Sequence, residues 1–433
     1  MFKGEIQMKI NKLMPLAFAT LMAAGGLAGC SGDDPNAVIV WATAAEQAVV
    51  NKVVEEYNKN ATEEEKIKVN YKAVAEGDTG NEVAKDPAGS KTADLFLVAD
   101  DHIYGLQSKN TILDLTSAYG DQIKKDNTET SVTGASYNGK VYGFPVTNDN
   151  GYFLWYNGDA LKDTEVGKLE DLLKVCQSKG KKFLIDIANG WYAPTFFLSP
   201  DTCGVDSLRF KEDENGDVVY TVKDWDEASK GVAVATAARS LFETYKDNIT
   251  TGGNAEIVSG FEDGSVIAAV SGTWMLNDLK SKCENLKASK LPTIKVGTKD
   301  CQMGTFTGSK VYCINATKTG DANVAKRNKA IKLANALTNK AAQLIRFQER
   351  ATVPCNKEAL KDEAYTKNVD IGAKALQAQV EAAAAVQSLS AEGRYWDVGA
   401  AIGKALLDGD YGTYSDMAKF LKGQCDILRK PGA

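Results

Sequence analysis

Histidine is nearly missing, since 433 residues hold a single one, His102. That excludes a multi-histidine zinc or iron site, and a Ser-His-Asp triad at any other place in the chain. No two cysteines stand in C-x-x-C spacing, so a thiolate metal cage has no basis either, and no metal or cofactor is expected. Positive charge is in deficit, with 51 Lys and Arg against 57 Asp and Glu. Nucleic-acid affinity rests on clustered Lys and Arg, so nucleic acid is not an expected partner. No apolar run reaches the ~20 residues that cross a bilayer, and there is no internal repeat. What is abundant is apolar and aromatic: 44% hydrophobic residues, with 16 Tyr, 14 Phe and 6 Trp. Disordered and collagen-like chains lack such a fraction, and at about 150 residues per domain the length predicts two to three globular domains.

The first residues read as an address. Lys3, Lys9 and Lys12 precede the apolar run 14–24, which ends in small residues and Leu27-Ala28-Gly29-Cys30. A basic start, a short apolar stretch and a small-residue cleavage site make a secretory signal, and Met8 offers a second, tidier start. The tail resembles the bacterial lipoprotein box, which implies that residues 1–29 are a signal peptide and that Cys30 is lipidated. Residues 30–36 then form the anchor and a polar tether, holding the protein at the extracellular face of the cell membrane. Seven cysteines remain, Cys176, Cys203, Cys283, Cys301, Cys313, Cys355 and Cys425, so at least one is free or pairs between chains.

The run 38–41 suits a buried strand, and Val49, Val50, Val53, Val54 and Tyr57 recur at helical spacing behind it. Ile67, Val69 and Tyr71 alternate, and 95–98 is again a buried-strand run, so an α/β lobe with a parallel sheet is expected. Asn138-Gly139 signals a tight hairpin. Runs 152–156, 183–187, 266–270 and 311–314 read as further strands, and the last hundred residues as helix. Trp41 and Trp155 lie inside apolar strands and are expected in the core.

Three fragments imitate motifs. Residues 213–217 are acidic around a glycine but miss the calcium-loop spacing, so they read as a hairpin turn. Gly304 to Lys310 lacks the glycine spacing and the Lys-hydroxyl order of a phosphate loop. Asp100 and Asp101 beside His102 read as a solvated loop at a strand's end, because sequence neighbours diverge in space. No local signature marks a carboxylate pair for glycoside hydrolysis.

One stretch is more specific. Tyr137-Asn138-Gly139-Lys140 leads to Phe144-Pro145-Val146, followed by Trp155-Tyr156-Asn157-Gly158-Asp159-Ala160-Leu161. Ala269 to Trp274 and the strand 311–316 before a long helix complete an ordered set. This set resembles the extracellular solute-binding proteins of ABC importers, and within them the maltose-binding branch, over nearly all of the chain after residue 37. The resemblance implies a periplasmic-binding-protein-like α/β fold of two discontinuous lobes, 37–148 with 304–352 and 149–303 with 353–433. Hinge strands would lie around 146–152, 303–310 and 352–355, with ligand in the cleft between the lobes.

Sugars present flat C–H faces and hydroxyl rims, so their clefts need aromatic platforms beside charged or amide groups. Matching to the maltose-binding pattern implies that Trp274, Tyr192 and Trp396 are platforms, with Trp191 beside them. Thr43 and Glu46 of the first-strand loop, Asp101, His102, and either Asp149 or Asn150 would form the rim. The pattern's other platform, its Glu and its Arg fall on Val98, Gly190 and Ala400. The expected function is capture of a maltose- or maltodextrin-type oligosaccharide by a monomer that delivers it to membrane permease subunits, without catalysis. A surface glycoside hydrolase or lyase, or a same-fold binder of a peptide or polyamine, are the alternatives.

Overall fold

The computed structural model describes residues 34 and 36–430, except 87, 90, 199–204, 206–208, 213–217, 222–223, 319 and 387–392. The signal, the lipidation at Cys30, the turn 213–217 and Cys203 lie outside them. Two five-stranded sheets form the cores of two lobes. In the first, β1 (Val38–Ala42) pairs in parallel with β2 (Val69–Ala73), Val38 opposite Val69, and with β3 (Leu95–Ala99). Between β1 and β2 runs helix α1 (Gln47–Lys59), whose Val49, Val50 and Val53 are buried on the sheet. Helix α2 (Glu76–Lys85) precedes β3, and α3 (His102–Ser108) follows it. Ile39 N–H donates to Asp94 Oδ2 at 2.8 Å, and the Lys318 ammonium pairs with the other carboxylate oxygen at 2.7 Å.

The sheet is mixed rather than wholly parallel. Strand Lys310–Ile314 lies antiparallel to β3 on one side and to Gly143–Thr147 on the other. The reason is its direction of entry: the chain returns from the second lobe at the end where β3 finishes, so it must run back along it. The Asn138-Gly139 signal holds, with φ of 47° and 75° in the turn between Ser136–Tyr137 and Lys140–Val141. Two consecutive positive φ values match the twist of the flanking strands.

The second sheet runs Ile249–Thr250, Lys182–Leu184, Val266–Ser271, Phe153–Asn157, Leu286–Ser289. The expected strand 183–187 stops at Leu184 as a strand, and Ile187 N–H instead donates to the Ile185 carbonyl at 2.8 Å, turning the chain toward the cleft. Trp155 is fully buried, and Trp41 is buried beneath the Lys72 ammonium, 4.5 Å from its ring centroid. Strands Arg209–Glu212 and Val218–Thr221 pair antiparallel, and the residues between them lie outside the described ones. Cys176, Cys283, Cys313, Cys355 and Cys425 are buried free thiols, and Cys301 is disulfide-bonded.

The lobes exchange chain later than the sequence suggests. Thr305–Thr307 still belongs to the second lobe, pairing with Ala384–Val386, and Thr195 Oγ1 donates to the Gly304 carbonyl at 2.8 Å. Past residue 353 the chain stays on the first lobe. Gln343 Oε1 accepts from the N–H groups of Cys355 and Asn356, both at 2.8 Å, and Thr128 N–H donates to the Cys355 carbonyl at 2.9 Å. The chain rejoins the second lobe with the helix Ile371–Ala382, through Ala375 and Leu376 against Phe153 and Trp155, and the helices Gly393–Asp408 and Met417–Arg429 pack into that lobe's core as well. The crossings therefore fall at 147–153, 307–310 and 366–371, because a buried amide on Gln343 holds 355–356 that sequence alone assigned across the hinge.

Asp100 is a hinge residue, not a solvated one. It is 1% exposed, its Oδ2 accepts from Ser309 N–H at 2.9 Å, and its own N–H donates to the Ser309 carbonyl at 3.0 Å. Burial, and then the charge of Asp101, push its carboxyl well above the ordinary aspartate value of 3.8. A raised folded value means the folded state holds a proton that the unfolded state has released, so this group's contribution weakens as pH rises above 3.8. Asp100→Asn keeps an acceptor for Ser309 and removes the ionisation. Its stability relative to the parent should therefore rise from pH 4 to pH 7, read from urea midpoints; a constant difference across that range would show that Asp100 is ionised in the fold.

Candidate functional site

A cleft of about 620 Å³ opens between the lobes. The carboxyl ends of β1 and β3 deliver Thr43, Ala45, Ala99, Asp101 and His102 to its first wall, as parallel strands deliver their loops to a common edge. Lys310, at the start of its strand, and Arg350, at the end of the helix Lys340–Arg350, complete that wall. Asn150 comes from the first crossing. Opposite stand Asn189, Trp191, Asn254, Trp274 and Trp396.

Each tryptophan is fixed from behind. The buried Trp155 donates its Nε1–H to the Gly272 carbonyl at 3.1 Å, which pins the backbone under Trp274. A methyl group on Gly272 would lie 2.0 Å from the Trp274 ring, so the indole rests directly on glycine. Trp274 Nε1–H donates to Asn254 Oδ1 at 3.3 Å. Trp191 meets Trp274 at 5.8 Å between centroids and 40°, and its N–H donates to Asn189 Oδ1 at 3.0 Å. Trp396 stands edge-on to Phe306 at 5.8 Å and 79°. All three rings are half-buried, with one part against protein and the rest toward the cleft.

Not every expected residue reaches this surface. Tyr192 is 8% exposed and lies behind Trp191, 4.9 Å from it and from Tyr152, and burial pushes its phenol to about 12. Trp191 is the member of that pair that fronts the cleft. Of the ambiguous Asp149 and Asn150, Asn150 lines the cleft, while Asp149 is buried and accepts from Val353 N–H at 3.3 Å.

Glu46 turns inward because the short helix Ala44–Glu46 at the end of β1 directs it beneath the wall. It is fully buried, and Arg346 Nε donates to both of its oxygens, at 3.0 and 3.1 Å. Arg350 Nη1 donates to the same carboxylate. Burial alone would raise the Glu46 carboxyl, yet the two guanidiniums outweigh it and hold the group below the usual glutamate range. The residue presented to the cleft is therefore Arg350, aimed by Glu46.

Lys310, Arg350, Asn189 and Asn254 escaped the sequence reading. Lys310 carried a faint signal, a lone cation opening the apolar strand Lys310–Ile314; Arg350 carried none, since its partner is 304 residues away. The Gly190 departure has a steric cause. A methyl group there would sit 2.1 Å from the Trp396 carbonyl oxygen, and one on Gly403 would sit 1.7 Å from that of Ile187. Glycines let the helix Gly393–Asp408 close on this turn and set Trp396 at the cleft's mouth. Val98 is fully buried core.

The sequence pattern of the family described as bacterial extracellular solute-binding protein matches residues 52–375. The chain belongs to this family. Among curated members, this solute-binding protein is 25% identical over 319 residues to a maltooligosaccharide ABC transporter solute-binding lipoprotein of Streptococcus pneumoniae, covering 71% of its own length and 70% of that relative. Solved structures of similar fold include a maltodextrin binding protein from L. casei without ligand, at TM-score 0.74 and 20% identity over 91% of this chain and 99% of that one. A Thermus thermophilus maltotriose binding protein bound with maltotriose gives TM-score 0.69 at 16% identity, over 90% and 99%. At those identities the structures establish the two-lobed fold and nothing finer.

Proposed function

We propose that this solute-binding protein captures an oligosaccharide of the maltose and maltodextrin class and passes it to the permease of an ABC importer. The observation that carries the reading is the tilted Trp191–Trp274 pair facing Asp101, His102, Lys310 and Arg350 across one cleft. Stacked rings bury the C–H faces of a sugar while charged and amide groups take its hydroxyls. The solute-binding lipoproteins among its relatives support the cargo class and the membrane anchor at Cys30. The protein acts as a monomer at the extracellular face of the membrane and breaks no bond in its ligand. Closure of the lobes is driven by the ligand's higher affinity for the closed state, the form the permease reads.

Calorimetric titration of the chain from Ser31 onward with a panel of glycans, followed by chromatography, tests this. Saturable heat with the glycan recovered intact is expected. Cleaved glycan would replace capture by hydrolysis, and no heat with any glycan would remove sugars as the cargo.

A further inference from the structure

Trp191 lies in neither a strand nor a helix, so no backbone ladder fixes it in front of Tyr192. The turn that carries it begins just past the strand Lys182–Leu184, and its pivot is Asn189. Asn189 N–H donates to the Asp186 carbonyl at 3.0 Å, and its own carbonyl accepts from the N–H groups of Tyr192 and Ala193, both at 3.0 Å. The side chain is committed as well: Oδ1 accepts from Trp191 N–H at 3.0 Å, and Nδ2 donates to Asp186 Oδ2 at 3.2 Å. An amide that accepts at one end and donates at the other has one orientation, which leaves a second N–H and a second lone pair for the cleft that Asn189 lines. Asp186 itself is half-buried and stands outside that lining. Burial, and then the charge of Glu256, push its carboxyl above the ordinary value of 3.8. Glu256 is engaged elsewhere, accepting from Gly253 N–H at 2.9 Å where the helix Asn254–Glu262 begins, and the first residue of that helix holds Trp274. The Tyr192 phenol is the other titratable group that the Asp186 charge reaches. The fold thus keeps a disfavoured carboxylate in a turn, where its side chain holds one amide of the cleft wall.

We propose that Asp186 is a positioning residue for glycan capture: by fixing the Asn189 amide it sets the Trp191 turn, so that the indole is held as a sugar platform and the amide offers its second N–H to a sugar hydroxyl. The proposal rests on the oligosaccharide reading above. A carboxylate accepting from an amide makes a charge-assisted bond, stronger than a neutral one. Protonated, or replaced by an amide, Asp186 loses that charge and gains a donor of its own, so Asn189 is free to turn over and release Trp191 N–H.

Calorimetric titration with the linear α-glucan, from maltose to maltoheptaose, that the wild type binds most tightly separates this from the parent reading. At pH 7, Asp186→Asn should bind at least about fivefold more weakly. Its urea midpoint should not fall, because asparagine removes a carboxylate that burial disfavours. The ratio of the two affinities should shrink at pH 4, as the raised wild-type carboxyl takes up its proton; Asp101 and His102 of the opposite wall are common to both proteins, so the ratio reports Asp186. A merely structural role would give a lowered midpoint and a ratio indifferent to pH. In an Asn189→Ala background, Asp186→Asn should cost less than about twofold more, since the amide it acts through is gone. Asp186→Ser, also uncharged, carries the same expectations should the asparagine variant not fold. Unchanged affinity at pH 7, a ratio that does not move with pH, or a full further loss in the Asn189→Ala background would overturn the positioning role while capture stands. A wild type silent to every glycan would overturn both.

Discussion

Glu46→Ala is expected to lower stability by about 3–5 kcal/mol, the range for removing one partner of a buried ion pair. The carboxylate is fully buried, and so is the Arg346 guanidinium, whose other contact is the Leu337 carbonyl at 3.3 Å. Alanine would leave that cation without a counter-charge among Tyr312 and the strands around it. Glu46→Gln keeps the shape and one acceptor and should fall between the two. The pH dependence follows from the lowered folded value: the pair's contribution is present above the ordinary glutamate value of 4.5 and is lost as pH falls through the lowered one. Urea unfolding at pH 7 and pH 3 should therefore show the alanine defect shrinking in acid. A defect below about 1 kcal/mol at neutral pH would mean that water reaches Arg346 and that the pair is not desolvated. The same variant should weaken glycan binding, because Arg350 loses the carboxylate that aims it.

The second large effect falls on affinity. Trp274→Ala should weaken glycan binding by at least ~1 kcal/mol, and the Trp191→Ala, Trp274→Ala double variant by at least ~2 kcal/mol, near thirtyfold. The two rings touch, so the single losses are not expected to add: removing either exposes the other and changes its tilt. Trp155 offers the contrast. It is fully buried and holds the Gly272 backbone beneath Trp274, so its loss should appear first as instability. Titration of the folded variants decides the matter. Unchanged affinity in the double variant would place sugar binding elsewhere, since no other pair of half-buried tryptophans in contact is found among the described residues.

How much of this was legible depended on range. Val49, Val50 and Val53 declared a helix face, and Asn138-Gly139 a turn, because periodicity and backbone preference act within a few residues. Trp191, Trp274 and Trp396 were visible as aromatics in the right order, yet order alone could not show that Trp191 stands in front of Tyr192. That choice is made by Tyr152 and Tyr192 packing behind the indole. The resemblance puts Glu46 on the rim, because its place in the first-strand loop is the same whether it points out or in. Its inward turn is dictated by Arg346, 300 residues away. Asp100 and the 355–356 segment failed for a related reason. Each is held by partners distant in the sequence, Asp100 by Ser309 and 355–356 by Gln343 and Thr128, which leave no periodic trace in the local sequence.

The position of strand Lys310–Ile314 bears on how the chain can acquire its shape. It fills the slot between β3 and Gly143–Thr147, so until residue 314 has joined, the first sheet is two fragments with bare facing edges. In the sequence the second lobe's strands lie between Lys310–Ile314 and both of its neighbours, so closing the first sheet needs contacts of large sequence separation, which slow folding. Chains truncated before residue 310 would carry those unpaired edges permanently and should associate through them rather than fold.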